Sequence, residues 1–174
     1  MRSLACVVAW CCIALAPLLG AGLAASSAAH AATASASSSA AVVTPLSLVK
    51  TGDLRFGQIV PGPSAGTVRI VASTGARTST GPITLAGTDF GPATFLGLAD
   101  RNRIVLLTRG PLPTLVRVGG GGSMAMTAMT TQRNNFFTPG GQILNINIGG
   151  TIAVGANQPP GLYSGTFTIT ITYQ

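Results

Sequence analysis

Apolar and polar positions alternate strictly at the end of the chain. Across 166–173, Thr166, Thr168, Thr170 and Thr172 fall on one side and Phe167, Ile169, Ile171 and Tyr173 on the other. Side chains of a strand point to opposite faces with a period of two, so this run predicts a strand with one apolar face and one hydroxyl face. The run ILNINI at 143–148 and the segment 67–70 repeat the pattern. Strand-like runs near 42–49, 54–60, 67–72, 83–86, 93–98, 104–108, 115–118, 123–130, 143–154 and 162–173 are separated by Gly- and Pro-containing breaks such as Pro61-Gly62-Pro63, Gly110-Pro111 and Pro159-Pro160-Gly161. No segment after residue 31 has a helical period. Many short strands with frequent turn signals predict an all-β fold, an antiparallel β-sandwich, preceded by an N-terminal signal helix. Gly149-Gly150 inside the long run reads as a bulge or a turn.

The first 31 residues obey a different pattern. Arg2 precedes an apolar run at 4–19, and small residues lead to Ala29-His30-Ala31, the spacing of a signal-peptidase site. A signal peptide over 1–31 is the expectation, with cleavage near Ala24 as the alternative and an uncleaved anchor as the competing reading. Cys6 comes too early for a lipoprotein site. Residues 32–41 (ATASASSSAA) are low-complexity and predict a flexible Ala/Ser-rich leader. A single domain then covers 42–174, with no transmembrane anchor after cleavage, and the protein is expected to be exported to the periplasm, cell surface or medium.

Losing 1–31 removes Cys6, Cys11, Cys12, His30 and Trp10, and the whole sequence contains no Glu. Disulfide staples are therefore unavailable, and the fold must rest on its core or on a partner. Nitrogen-base and thiol catalysis lose their groups, as do zinc sites. Only Asp53, Asp89 and Asp100 remain as acids, each beside a turn, where Asp ordinarily bonds local backbone groups. The sequence predicts no enzyme, no metal and no cofactor.

Of ten lysines and arginines one, Arg2, lies in the signal, so nine stand against three aspartates, a balance of +6. They are spread singly. Such a balance either keeps a charge-poor domain soluble or draws it to acidic polymers and lipid headgroups. Gly119-Gly120-Gly121-Gly122 before Ser123 lacks the lysine and helix of a phosphate loop and reads as a hairpin tip. Basic residues do not interleave with aromatics, so nucleic acid is not an expected partner. Phe136-Phe137, set between Asn134-Asn135 and Thr138-Pro139, is the aromatic pair that could be an exposed contact or a plug at the end of the sandwich.

Several runs together resemble a family of exported bacterial proteins catalogued as domain of unknown function 4402. They are Pro45-Leu46-Ser47-Leu48, Gly52-Asp53-Leu54-Arg55-Phe56-Gly57-Gln58-Ile59, Gly66-Thr67-Val68, and Val154-Gly155 to Gln158 with Gly161-Leu162-Tyr163-Ser164-Gly165-Thr166-Phe167. The likeness covers nearly all of 42–174, and its family name carries no activity. The same C-terminal region resembles the last strand of chaperone–usher pilins and spore-coat-U-type subunits, with a penultimate Tyr173, a Gly161 fourteenth from the end, and Phe167, Ile169 and Ile171 alternating between.

That second likeness implies an immunoglobulin-like, pilin-like domain short of one strand. A periplasmic chaperone and then homologous subunits would supply it by β-augmentation. The chain departs from it in having no cysteine pair after residue 31 and a leader of small residues. The implied assembly groove is Gly161, Tyr163, Phe167, Ile169, Ile171 and Tyr173; the implied donor segment is Val42, Val43, Leu46 and Leu48, which could equally be the domain's own first strand. The expected function is that of a non-catalytic structural subunit of a surface fibre or coat. The alternative is a self-complete secreted domain that binds envelope or carbohydrate through loops such as Phe136-Phe137.

Overall fold

The computed structural model of the protein describes residues 35–42 and 44–174. The signal peptide expected over 1–31, the first leader residues and Val43 lie outside the described residues. Residues 35–40 have no regular structure and are exposed.

From residue 41 onward the chain is all-β, with every pairing antiparallel. The strands are β1 (Ser47–Gly52), β2 (Gln58–Val60), β3 (Gly66–Ile70), β4 (Arg77–Thr80), β5 (Thr84–Ala86), β6 (Ala93–Leu98), β7 (Val105–Arg109), β8 (Thr114–Arg117), β9 (Ser123–Thr131), β10 (Phe136–Phe137), β11 (Ile143–Val154), β12 (Tyr163–Ser164) and β13 (Ile169–Tyr173). The larger sheet runs β1-β6-β11-β9-β8-β12, with β3 also on β11 and β4 on β3. A smaller sheet runs β10-β7-β13, and β2 with β5 forms a two-stranded ribbon. The sheets enclose one apolar interior, as the alternation predicts.

β11 is the axis of the larger sheet. Its first half pairs with β6 and its second half with β3 along the same edge, while β9 pairs with it from Ile148 to Ile152 on the other. The middle of β11, from Ile148 to Ile152, is thereby flanked on both edges, and Leu144, Ile146, Ile148, Ile152 and Val154 are buried. Gly149-Gly150 neither turns nor bulges the chain; it lies inside the strand. A Cβ on Gly149 would collide with the Ile70 carbonyl oxygen of β3, so glycine is what lets the two strands approach. A register shift between Thr151 and Ile152 changes the phase of β9, and this allows both Met126 and Met129 to be buried in one core.

Elsewhere the backbone shortens or extends the predicted runs. The run at 54–60 yields only β2, because Gly57 takes a φ of +75° just before it. The first strand begins at Ser47 rather than 42 and ends at Gly52. β4, with the sequence RTST, has no apolar alternation to announce it; it is held by register with β3 and a 2.7 Å hydroxyl contact between Thr67 and Thr80. The run at 162–173 is two strands separated by four residues. Opposite that gap stand Pro111 and Pro113, which have no amide to donate, and the pairing shifts by two residues between the β12–β8 and β13–β7 ladders.

Candidate assembly cleft

The alternation of the last strand is reproduced side chain by side chain. Phe167, Ile169, Ile171 and Tyr173 are half-buried and pack against the core, while Thr166, Thr168, Thr170 and Thr172 are exposed. On the neighbouring strand, Val105 and Leu107 are fully buried opposite Tyr173 and Ile171. β13 thus shares an apolar face with β7, on which the β7 side chains are fully covered and those of β13 only in part.

Among the described residues β13 has a partner on one edge only. The Gly110 amide donates to the Thr168 carbonyl at 2.8 Å and the Gln174 amide to the Ile104 carbonyl at 3.0 Å. In an antiparallel ladder bonded and non-bonded pairs alternate. Thr168, Thr170, Thr172 and Gln174 therefore face β7, and the amides and carbonyls of Ile169, Ile171 and Tyr173 point away from it. Among the described residues these outward groups meet no backbone partner. β12 likewise pairs only with β8 and ends the larger sheet, whose opposite end is β1.

A cleft lies between these ends. One part, of about 470 Å³, runs from Lys50 at β1 to Phe167, over Ala93, Phe95 and Leu115. A second part, of about 1050 Å³, continues beneath the β2–β5 ribbon over Met124, Ile152 and Val154. Leu54, Leu115, Leu162 and Tyr163 line both. The floor is apolar and the walls are strand edges.

Two tyrosines fix the flanking segment. The Tyr173 hydroxyl donates to the Thr44 carbonyl at 2.9 Å and accepts from the Asp100 amide at 2.6 Å, tying the strand's end to the residues before β1 and after β6. The Arg103 guanidinium lies 5.4 Å from the centre of its ring. The Tyr163 hydroxyl donates to the Pro159 carbonyl at 2.7 Å and accepts from Gln158 Nε2 at 2.9 Å, and Gln158 also bonds the Ser123 carbonyl and the Gly155 amide. Gly161 adopts a φ of +151°, where a Cβ would meet Arg117 Nε at 2.6 Å. Arg117 in turn donates to the Pro160 carbonyl, which aims the chain into β12.

The groove residues named from sequence therefore lie along one segment, but they occupy different stations. Tyr163 and Phe167 line the cleft, Ile169 and Ile171 cover the core beside β7, and Gly161 and Tyr173 set the two ends. The donor residues separate. Leu48 belongs to β1, the domain's own first strand, opposite Gly97 of β6, and Leu46 packs on the domain's own core just before it. Val42 is exposed. The phenylalanine pair also divides: Phe136 is 62% exposed, while Phe137 packs on the core beneath Arg133, at the opposite edge of the smaller sheet from β13.

Sequence reasoning missed Ala93, Phe95 and Leu115 as the cleft floor. Their strand assignment was legible, but which strands end the sheet was not. It also missed Arg77, whose guanidinium bonds the carbonyls of Phe56, Gln58, Ala86 and Gly87 and lies 4.3 Å over the Phe90 ring, fastening the β2–β5 ribbon. No local pattern around Arg77 signals that role.

The acids occupy turns. Asp53 pairs with Lys50 at 2.6 Å, Asp89 with Arg55 at 2.9 Å, and Asp100 accepts the Asn102 amide at 2.9 Å. The contacts of Asp53 and Asp100 are local, and that of Asp89 joins its loop to Arg55 beside the Arg55–Gly91 bridge. Among the described residues no group of three or more metal-ligating side chains comes together.

Residues 46–173 match the family described as "Domain of unknown function (DUF4402)", and the chain belongs to that family. The match spans β1 to the end of β13 and so includes the residues on both sides of the cleft. No curated protein and no solved structure matches the chain.

Proposed function

We propose that the protein is an exported, non-catalytic structural subunit of a surface fibre or coat, assembled by taking a β-strand into the cleft beside β12 and β13. The supporting observation is the one-sided ladder of β13. Its outward amides and carbonyls have no backbone partner among the described residues, its apolar face is half-covered, and the other end of the larger sheet stands across an apolar cleft. An added strand would pair with Ile169, Ile171 and Tyr173 by main-chain bonds and seat alternate side chains over Phe95, Leu115 and Phe167. A periplasmic chaperone would hold the edge first, and homologous subunits would replace it. Because Leu46 and Leu48 are engaged in their own domain, the donated strand comes from before Thr44 of a neighbour or from another protein.

Ile171→Pro tests this. The Ile171 amide is not part of the β7 ladder, so proline removes an outward donor while leaving that ladder's own bonds in place. Envelope material carrying the wild-type chain should yield high-mass assemblies on native gels and fibres or coats by electron microscopy. The variant should accumulate as a folded monomer. Wild-type material that is monomeric throughout would leave the alternative, a self-complete secreted domain binding envelope or carbohydrate. The exposed Phe136 favours that second reading.

A further inference from the structure

Four large apolar side chains face outward together where β1, β6 and β11 lie side by side. Register sets Val49 beside Leu96, and Leu98 between Ser47 and Ile143. Leu96 and Leu98 are two apart on one strand, so they share its outer face. The exposures are 63% for Val49, 44% for Leu96, 47% for Leu98 and 65% for Ile143, whereas Leu144 and Ile146, on the inner face of β11, are buried. A contiguous apolar group on an outer sheet face is the mark of an interaction surface, unlike scattered single residues.

The charge around it is predominantly positive. The loop that leaves β6 directly after Leu98 carries Arg101 and Arg103, both exposed. Arg133 reaches β11 and donates through Nε to the Asn145 carbonyl at 3.4 Å; Asn145 is the residue across from Leu96. Asp100 is the only acid in that loop, and its carboxylate accepts the Asn102 amide. At the far end of β1, Lys50 and Asp53 neutralise each other.

We propose that this face docks on an anionic lipid bilayer. Val49, Leu96, Leu98 and Ile143 enter the headgroup–acyl boundary, while Arg101, Arg103 and Arg133 meet the phosphates. An apolar centre beside cationic side chains is the composition that binds such an interface. A second copy is a poorer occupant, since pairing two such faces would set arginines against arginines on chains that each carry a net +7. The surface is separate from the cleft and stands whether or not a strand enters there.

Co-sedimentation with vesicles tests the proposal, using 30% phosphatidylglycerol in phosphatidylethanolamine against pure phosphatidylcholine. Wild-type protein is compared with Val49→Ser/Ile143→Ser and with Arg101→Ala. Any lipid affinity of the apolar run at 4–19 is common to all three. The double serine variant should bind the anionic vesicles about tenfold more weakly, and Arg101→Ala about fivefold more weakly. All three should melt at nearly the same temperature, because the altered side chains are exposed. Phosphatidylcholine alone should bind none of them through this face. Equal affinity of wild type and the serine variant for anionic vesicles would overturn the proposal. So would a lipid-free dimer of the wild type that the serine substitutions dissolve.

Discussion

β11 and β13 carry the same kind of sequence and live in different surroundings. Both alternate isoleucine with a small polar residue, ILNINI in one and TITIT in the other. β11 is paired along both edges from Ile148 to Ile152, and its isoleucines at 148 and 152 are fully buried. β13 is paired along one edge, and Ile169 and Ile171 are half-buried. The difference lies in the number of neighbours, not in the strand. A period-two pattern states that one face must be covered and leaves unstated which chain does the covering.

Substitutions at matched positions measure this difference directly. Ile152→Ala, where β3 and β9 flank the strand, removes a side chain with no room to relax and should cost about 3 kcal/mol in denaturant unfolding. Ile171→Ala in the isolated monomer should cost about half as much, since part of that surface is already wet. Equal losses would mean that the β13 face is covered as fully as that of β11.

Tyr173→Phe keeps the ring over Val105 and deletes the hydroxyl that joins Thr44 to Asp100. A loss of about 1–2 kcal/mol in the same measurement is expected, with the largest rise in hydrogen exchange at Asp100, whose amide loses its acceptor. The smallest effect belongs to Lys50→Ala at the cleft wall. Its ion pair with Asp53 is exposed on both sides, so the unfolding free energy should move by less than about 0.5 kcal/mol. A larger change would show that Lys50 supports the wall and does more than line it.

Much of the fold was legible because the physics is local. Alternation placed β3, β6, β9, β11 and the C-terminal strands, and Gly and Pro placed the breaks. The bounds of β6 and β11 agree with the sequence reading to the residue. What escaped was non-local. β4 is a strand because β3 offers it an edge. Gly149-Gly150 continues a strand because the β3 backbone comes too close for a Cβ, although glycine pairs usually end one. The split of 162–173 depends on prolines some fifty residues earlier.

The cleft was legible in half. The tail named one wall through Tyr163 and Phe167, and the Thr/Ile alternation told which side chains would face inward. The other wall required knowing that β1 and β12 end the same sheet, a fact of topology that no window of sequence contains. Leu46 and Leu48 show the same limit from the other side. Their apolar spacing fits a donated strand and an intrachain strand alike, and only the pairing with β6 distinguishes the two.

Residue-resolved amide exchange on the monomer tests the open edge most directly. The account predicts an alternation within one strand: Thr170, Thr172 and Gln174 protected by β7, and Ile169, Ile171 and Tyr173 exchanging near the rate of an unstructured chain. Slow exchange at all six positions in a monomer would contradict it, since the outer edge would then already be paired within the chain.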